Sequence, residues 1–291
     1  MNGKCIDRAQ ILIEALPYIQ SHHNKIVVVK YGGSAMKQPE LMPEVMQDIV
    51  LLSLVGIKVV LVHGGGPEID EYAEKLNLGK KKIGGFRYTD KEIADLVQMV
   101  LCGKINKNLV AALTRAGGKA LGYSGLDAGI IRARELKTDG IDYGGYVGEV
   151  IGVNAEPILD ALEKGYIPVV SSVALGEDHS DEPRSYNINA DIAAAELAIA
   201  VGAERLILMT DTRGLLRDPQ DDSTLIREVS VTGIDGLKAD GTITGGMVPK
   251  IDCAVNAVAH GVESATILDG RVQHSILIEL LSDDGEGTMI K

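Results

Sequence analysis

Ile26-Val27-Val28-Val29-Lys30-Tyr31-Gly32-Gly33 is an apolar, β-branched run that ends on a lysine and a pair of glycines. Such a run reads as a strand buried on both faces, as in a parallel sheet. The glycines after it let backbone N–H groups approach an anion closely, which side chains would prevent. Val59-Val60-Leu61-Val62-His63-Gly64-Gly65-Gly66 repeats the pattern, and Gly245-Gly246-Met247-Val248-Pro249-Lys250 adds a third glycine turn, a helix start and a second lysine. Two lysines beside three glycine turns point to phosphoryl transfer.

Outward from these turns, strand and helix alternate: strand 26–30, helix 39–55, strand 57–62, helix 67–77, a glycine-basic hairpin 78–88 and a long helix from residue 90. Alternation of this kind predicts an α/β fold, an open and mainly parallel central sheet sandwiched between helices. Thr89-Asp90-Lys91-Glu92 reads as a capping box for the long helix, and Gly117-Gly118 end it. Hairpins are expected within 125–149, a helix at 155–164, a strand at 166–171 and an alanine-rich helix capped by Asn189-Ala190-Asp191. Strand 205–211, a helix after Gly246 and strand 264–268 complete the pattern.

Anion-binding signals cluster in two stretches, so two lobes are expected, 25–200 and 201–291, preceded by an N-terminal helical segment 1–24. Within that segment Ala9, Leu12, Ile13, Leu16 and Ile19 share one helical stripe, and Pro17 should kink or restart the helix. The stripe either packs back on its own lobe or docks on another subunit; a shared interface is the expectation.

A formal net charge of -12, no Trp and one Phe argue against nucleic acid, which calls for a basic face and stacking platforms. Cys5, Cys102 and Cys253 have no disulfide-framework or zinc spacing, and no metal-ligand partner stands near His22, His23, His179 or His260. No run approaches the roughly 18 uncharged apolar residues of a membrane span, and the start reads like that of a mature soluble protein; a reducing cytosol or an organelle stroma fits the cysteines, and a cytoplasmic location is the expectation. The P-loop pattern, the protein-kinase H-R-D and the dinucleotide G-x-G-x-x-G are all missing.

Lys30 falls at the carboxyl end of the first strand, where open α/β sheets place ligands, and a lysine buried there needs an anion partner. The competing reading is a lysine that snorkels to solvent. Lys250 lies in the first turn of a helix, where the macrodipole disfavours a cation unless an anion sits beside it. Asp191 suits its own helix start for structural reasons alone, yet it also supplies the acceptor that would hold two mutually repelling ammonium groups. Arg87 is either a surface arginine or a fork for a substrate carboxylate. His63 precedes a glycine turn and reads as a cap for backbone groups rather than a general base.

Taken in order, Lys30-Tyr31-Gly32-Gly33, His63-Gly64-Gly65-Gly66-Pro67, Gly85-Phe86-Arg87-Tyr88-Thr89-Asp90, Asn187-Ile188-Asn189-Ala190-Asp191 and Gly245-Gly246-Met247-Val248-Pro249-Lys250 closely resemble the acetylglutamate kinases of the amino-acid-kinase family. The resemblance runs from about residue 25 to the carboxyl terminus and is specific as a set. It implies an amino-terminal lobe for N-acetyl-L-glutamate and dimer contact, a carboxyl-terminal lobe for ATP, and transfer to the substrate's side-chain carboxylate in arginine biosynthesis. Lys30 and Lys250 would stabilise the moving phosphoryl group, Asp191 would hold both lysines, and the Gly33 and Gly65 backbones would donate to it. Gly65, Gly66, Arg87 and Asn187 would bind acetylglutamate. The loop carrying Asp211, Gly214 and Leu215, together with Gly245, Gly246 and Met247, would line the nucleotide. Tyr88 and Thr212 stand where many relatives have valine, and neither change touches a proposed charge.

No general base is needed for an acceptor carboxylate, whose reference pKa of about 4.3 leaves it ionised near neutrality. Mg²⁺ would arrive with ATP rather than in a cage of protein ligands. The segment Ile6 to Gln20 is similar to the kinked helix of the family's arginine-inhibited branch, which ties dimers into a hexamer. By the same resemblance His274, Glu279 and Gly287 would form the arginine site. Two rival readings remain: a related kinase with another carboxylate or phosphate acceptor, and a non-catalytic arginine-sensing assembly.

Overall fold

The structure, a computed structural model, describes residues 3–33, 36, 38, 40–177, 184–218 and 220–291, the side chains of residues 3–8 excepted; the Cys5 thiol and His179 thus lie outside the described part of the chain. Helix α1 (Gly3–His22) leads into strand β1 (Ile26–Tyr31), followed by α2 (Met42–Leu54), β2 (Lys58–His63) and α3 (Gly66–Lys75). A small separate hairpin, β3 (Lys82–Ile83) and β4 (Phe86–Arg87), precedes α4 (Lys91–Gln98), a π-helical stretch Met99–Ile105 and α5 (Asn106–Arg115). Then come β5 (Ala120–Gly125), β6 (Ile131–Glu135), β7 (Gly148–Val153), α6 (Glu156–Glu163), β8 (Ile167–Gly176), β9 (Ser185–Asn187) and α7 (Ala190–Ala200). The last third holds β10 (Arg205–Thr210), β11 (Leu215–Leu216), β12 (Leu225–Ile226), β13 (Glu228–Val229), α8 (Ile234–Ala239), α9 (Met247–Ala259), β14 (Ser264–Asp269), α10 (Ser275–Leu281) and β15 (Thr288–Ile290).

Eleven strands form one sheet in the order β13-β15-β14-β10-β1-β2-β8-β6-β7, with β5 and β9 also paired to β8. The central strands β14, β10, β1, β2 and β8 are parallel; β15 and β7 run antiparallel to their inner neighbours. The α/β class expected from the alternation therefore holds. Side chains of β1 explain why its sequence is apolar throughout: Val28 packs into the layer under α7 and α9, while Val27 and Val29 pack into the layer under α2, α4 and α5. Both faces of the strand are covered, so no polar alternation survives.

β1 pairs with β2 on one side and β10 on the other, so the chain reverses its direction of travel across the sheet at this strand. Crevices at the carboxyl ends of such strands are where open α/β sheets bind ligands. The sheet crosses residue 200 without a break.

Two local expectations change. Asp90, not Thr89, caps α4: its side chain accepts from the Ile93 N–H at 3.0 Å, while the buried Thr89 hydroxyl turns inward to donate to the Arg87 carbonyl at 2.8 Å. α1 does not restart at Pro17 but runs through it; Pro17 is exposed, so water can take the carbonyl that its missing N–H leaves unbonded. Along α1, Ile11, Leu12, Ile13 and Leu16 face solvent, while its carboxyl half is tied down by Tyr18, hydrogen-bonded to Asp283, and by His22 Nδ1 at 2.6 Å from Glu204.

Among the described residues one helical run, Lys91–Arg115, is long and apolar enough by length and composition to cross a membrane, although charged residues interrupt it. Its Ile93, Leu96, Val97, Val100, Leu109 and Leu113 are buried in the layer on the sheet, the environment of a core helix.

Candidate active site

β1 and β2 lie in register, Lys30 beside Val62 and Tyr31 beside His63, so their glycine turns leave the sheet together. The Gly64 N–H donates to the Tyr31 carbonyl at 3.3 Å and locks the two turns. At Gly65 a Cβ would stand 2.1 Å from Ile105 Cδ1 and 2.7 Å from Leu101 Cδ2, so the π-helical stretch closes directly on this backbone. Any larger residue would have to push both of those side chains aside, so glycine gives the closest approach.

Three elements aim charge at one point. Lys30, at the end of β1, is 4% exposed, and its Nζ lies 2.9 Å from Asp191 Oδ1. Lys250, in the first turn of α9, places Nζ 2.8 Å from Asp191 Oδ2. Asp191 is held at the start of α7, where the Asn189 side chain accepts from its N–H at 2.8 Å. The two ammonium groups therefore share one carboxylate, which answers the misfit of a lysine at a helix start.

Burial pushes the Asp191 carboxyl up, but Lys30 and Lys250 pull harder and leave it at about 2. For Lys30, burial lowers the ammonium from its ordinary value, Asp191 opposes that fall, and Lys250 adds to it. With two cations on one anion the cluster carries surplus positive charge, which a phosphoryl group can neutralise.

Lys30, Gly33, Gly65, Gly66, Arg87, Asn187, Asp191 and Lys250 all line a single cleft of about 320 Å³. Arg87 reaches it from the β3–β4 hairpin, held by Asp70 at 2.6 Å and by the Gly66 carbonyl at 3.1 Å. The Asn187 amide donates to Thr89 Oγ1 at 3.1 Å. Both could turn onto a carboxylate at the mouth of the cleft. Lys82 and Ser172 line it too; Lys82 belongs to a run of three lysines, and no local signal distinguishes it from its neighbours.

The residues expected at the nucleotide lie beside this cleft rather than in its lining. Asp211 follows β10, the neighbour of β1, and Gly245 and Gly246 precede α9, with Met247 as its first residue. Gly214 has φ 133°, and the Leu215 N–H donates to Thr288 Oγ1 at 2.8 Å, with the leucine side chain buried.

Of the three residues expected at an inhibitor site, two come together. Glu279 accepts from Thr266 Oγ1 at 3.0 Å and from the Glu286 N–H at 3.1 Å, next to Gly287, whose backbone packs against the Ile267 carbonyl. His274 begins α10 with φ 56° and turns to Asp48 of α2, 2.6 Å away, a contact that raises its pKa.

A model of the amino acid kinase family matches residues 25–269. The acetylglutamate kinase of Clostridium beijerinckii is 52% identical over 284 residues, 98% of either chain. That of Thermosynechococcus vestitus is 49% identical over 284 residues, 98% of this chain and 94% of its own. Among solved structures, N-acetylglutamate synthase from Neisseria gonorrhoeae complexed with coenzyme A and N-acetyl-glutamate superposes with a TM-score of 0.82 at 27% identity. The match covers 97% of this chain and 63% of that longer one.

Proposed function

The chain belongs to the amino acid kinase family, and from that premise, with relatives named acetylglutamate kinase, we propose that it transfers the γ-phosphoryl group of ATP to the side-chain carboxylate of N-acetyl-L-glutamate. The observation that carries this reading is the pair of buried lysines meeting on the two oxygens of Asp191, in the cleft that Arg87 enters. The product is N-acetyl-L-glutamyl 5-phosphate, an intermediate for arginine biosynthesis in the cytoplasm.

In the transfer, a carboxylate oxygen of acetylglutamate forms the new P–O bond while the bond to the β-phosphate oxygen breaks and ADP leaves. No proton has to be removed from the acceptor. Arg87 and Asn187 orient the substrate, and the backbone N–H groups at Gly33, Gly65 and Gly66 face the moving group. Lys30 and Lys250 balance its charge, with Asp191 keeping them apart and aimed. Catalysis is positioning and charge stabilisation. Mg²⁺ arriving with ATP would offset the charge of its phosphates; Asp211, Gly214, Leu215 and the Gly245–Met247 turn receive the nucleotide.

Feedback inhibition by arginine and assembly into a hexamer, a trimer of dimers, belong to the same reading. Glu279 offers a buried carboxylate to a guanidinium, and the exposed apolar stripe of α1 offers a surface to a second copy. Removal of residues 1–22 should leave a smaller particle by light scattering; an unchanged mass would refute the role of α1.

The activity is tested by trapping acyl phosphate with hydroxylamine in the presence of ATP, Mg²⁺ and a panel of free and N-acetylated amino acids. Trapping with acetylglutamate alone is expected. Trapping with another acceptor would reassign the substrate, and none at all would leave only an arginine-sensing role.

A further inference from the structure

The geometry points to His63 as a positioning residue that aims the Gly65 N–H into the cleft, with Asn106 selecting the tautomer that allows it. This deepens, and rests on, the reading of that cleft as the phosphoryl-transfer site. The imidazole is fully buried and does not line the cleft; it sits behind the glycine turn. Its Nδ1 is 3.0 Å from the Gly64 carbonyl oxygen and its Nε2 is 3.2 Å from Asn106 Nδ2.

Which ring nitrogen carries the proton is decided by Asn106. Its amide nitrogen faces the carbonyls of Val169 at 2.9 Å and Tyr123 at 3.1 Å, while its oxygen receives Lys107 Nζ at 3.1 Å. Carbonyls only accept, so Nδ2 is the amide NH₂, which shares its two hydrogens among three partners and has no capacity to accept a proton from His63. His63 Nε2 must then accept, and the proton stays on Nδ1, from which it donates to Gly64. Burial keeps the ring neutral by lowering its pKa to about 4.

A trans peptide is planar, with its C=O and N–H pointing in opposite directions. Fixing the Gly64 carbonyl toward His63 therefore fixes the Gly65 N–H away from it, on the side where Gly65 lines the cleft. A peptide between two glycines has little else to hold its plane. The scaffold makes room for this arrangement at β5, where a Cβ on Gly122 would stand 2.1 Å from Asn106 Oδ1. Asn106 itself comes directly after the π-helical stretch, so the wide turn there sets where its amide points.

Two substitutions separate the two ring nitrogens. His63→Gln keeps a polar group facing Asn106 but has no donor at Nδ1, whereas His63→Asn places an amide N–H there. With acyl phosphate trapping as the assay, His63→Gln should lower kcat roughly 10- to 100-fold, the scale of a misplaced group, while both KM values move by less than about threefold. His63→Asn should recover kcat about tenfold over His63→Gln. Unchanged turnover in His63→Gln, an equal loss in both variants, or a loss that appears only in KM would overturn the inference. Absence of any product from the unsubstituted chain would instead overturn the reading of the cleft. Should thermal melts show neither variant folded, neutron diffraction of the unsubstituted protein decides: a proton on Nδ1 supports the role, and one on Nε2 overturns it.

Discussion

Asp191 and Glu279 are both buried carboxylates with both oxygens engaged, yet their neighbours differ in kind. Asp191 meets two ammonium groups, whereas Glu279 meets a threonine hydroxyl and a backbone N–H. The first cluster ends with surplus positive charge and the second keeps its negative charge. Hydrogen bonding satisfies an oxygen without cancelling its charge, so what remains in each cluster names the sign of what it can bind. The cleft calls for an anion, and the junction of α10 with β15 calls for a cation.

The harshest challenge to this contrast is to remove a cation. Lys30→Ala or Lys250→Ala should lower kcat by on the order of 10² to 10³, about 3 to 4 kcal/mol of transition-state stabilisation. Trapping of acyl phosphate measures it, and near-normal turnover in either variant would mean that its charge is not used.

Acid probes the same contrast from the other partner. The Asp191 carboxyl is depressed from 3.8 to about 2 in the folded chain, so the unfolded chain binds its proton first as the pH falls. The stabilisation is present above pH 3.8 and is lost as the pH drops toward 2, by about 2 kcal/mol at 1.36 kcal/mol per unit. Chemical unfolding at a series of pH values should show that slope in the unsubstituted chain and its reduction in Asp191→Asn.

A milder effect is expected at the second carboxylate. Glu279→Gln removes the charge while keeping the shape, and should raise the arginine concentration needed for half-inhibition about tenfold, a loss of ~1.4 kcal/mol. An unshifted inhibition curve would place the effector elsewhere.

Much of the fold and of the cleft is legible in the sequence because it is local. The β-branched runs, the glycines after them and the helix starts at Asn189 and Gly246 each declare themselves within a few residues, and the sheet brings Lys30 and Lys250 to one carboxylate once those elements exist. What escapes the sequence depends on contacts made across the fold. Asn106 is an ordinary asparagine in a helical stretch until β5 and β8 present their carbonyls to it. The π-helical turn at Met99–Ile105 has no propensity signal of its own and becomes intelligible only against Gly65. Arg87 reads as a free guanidinium, yet Asp70, seventeen residues earlier, already holds it. The cap at Asp90 sits one position beyond the expected Thr89 because that threonine is drawn into the interior.

Because β1 is hydrogen-bonded along its length to β2 and to β10, the strand that carries Lys30 belongs to the same ladder as β10 and β14, the strands on either side in sequence of α9, the helix that carries Lys250. A swing of one half of the molecule against the other thus has no flexible linker in which to bend. It can only be taken up as added coil in the shared sheet, spread over many strands with their pairing intact, so the gap between the ammonium groups would widen by degrees, like a stiff spring being wound, instead of snapping open at a hinge.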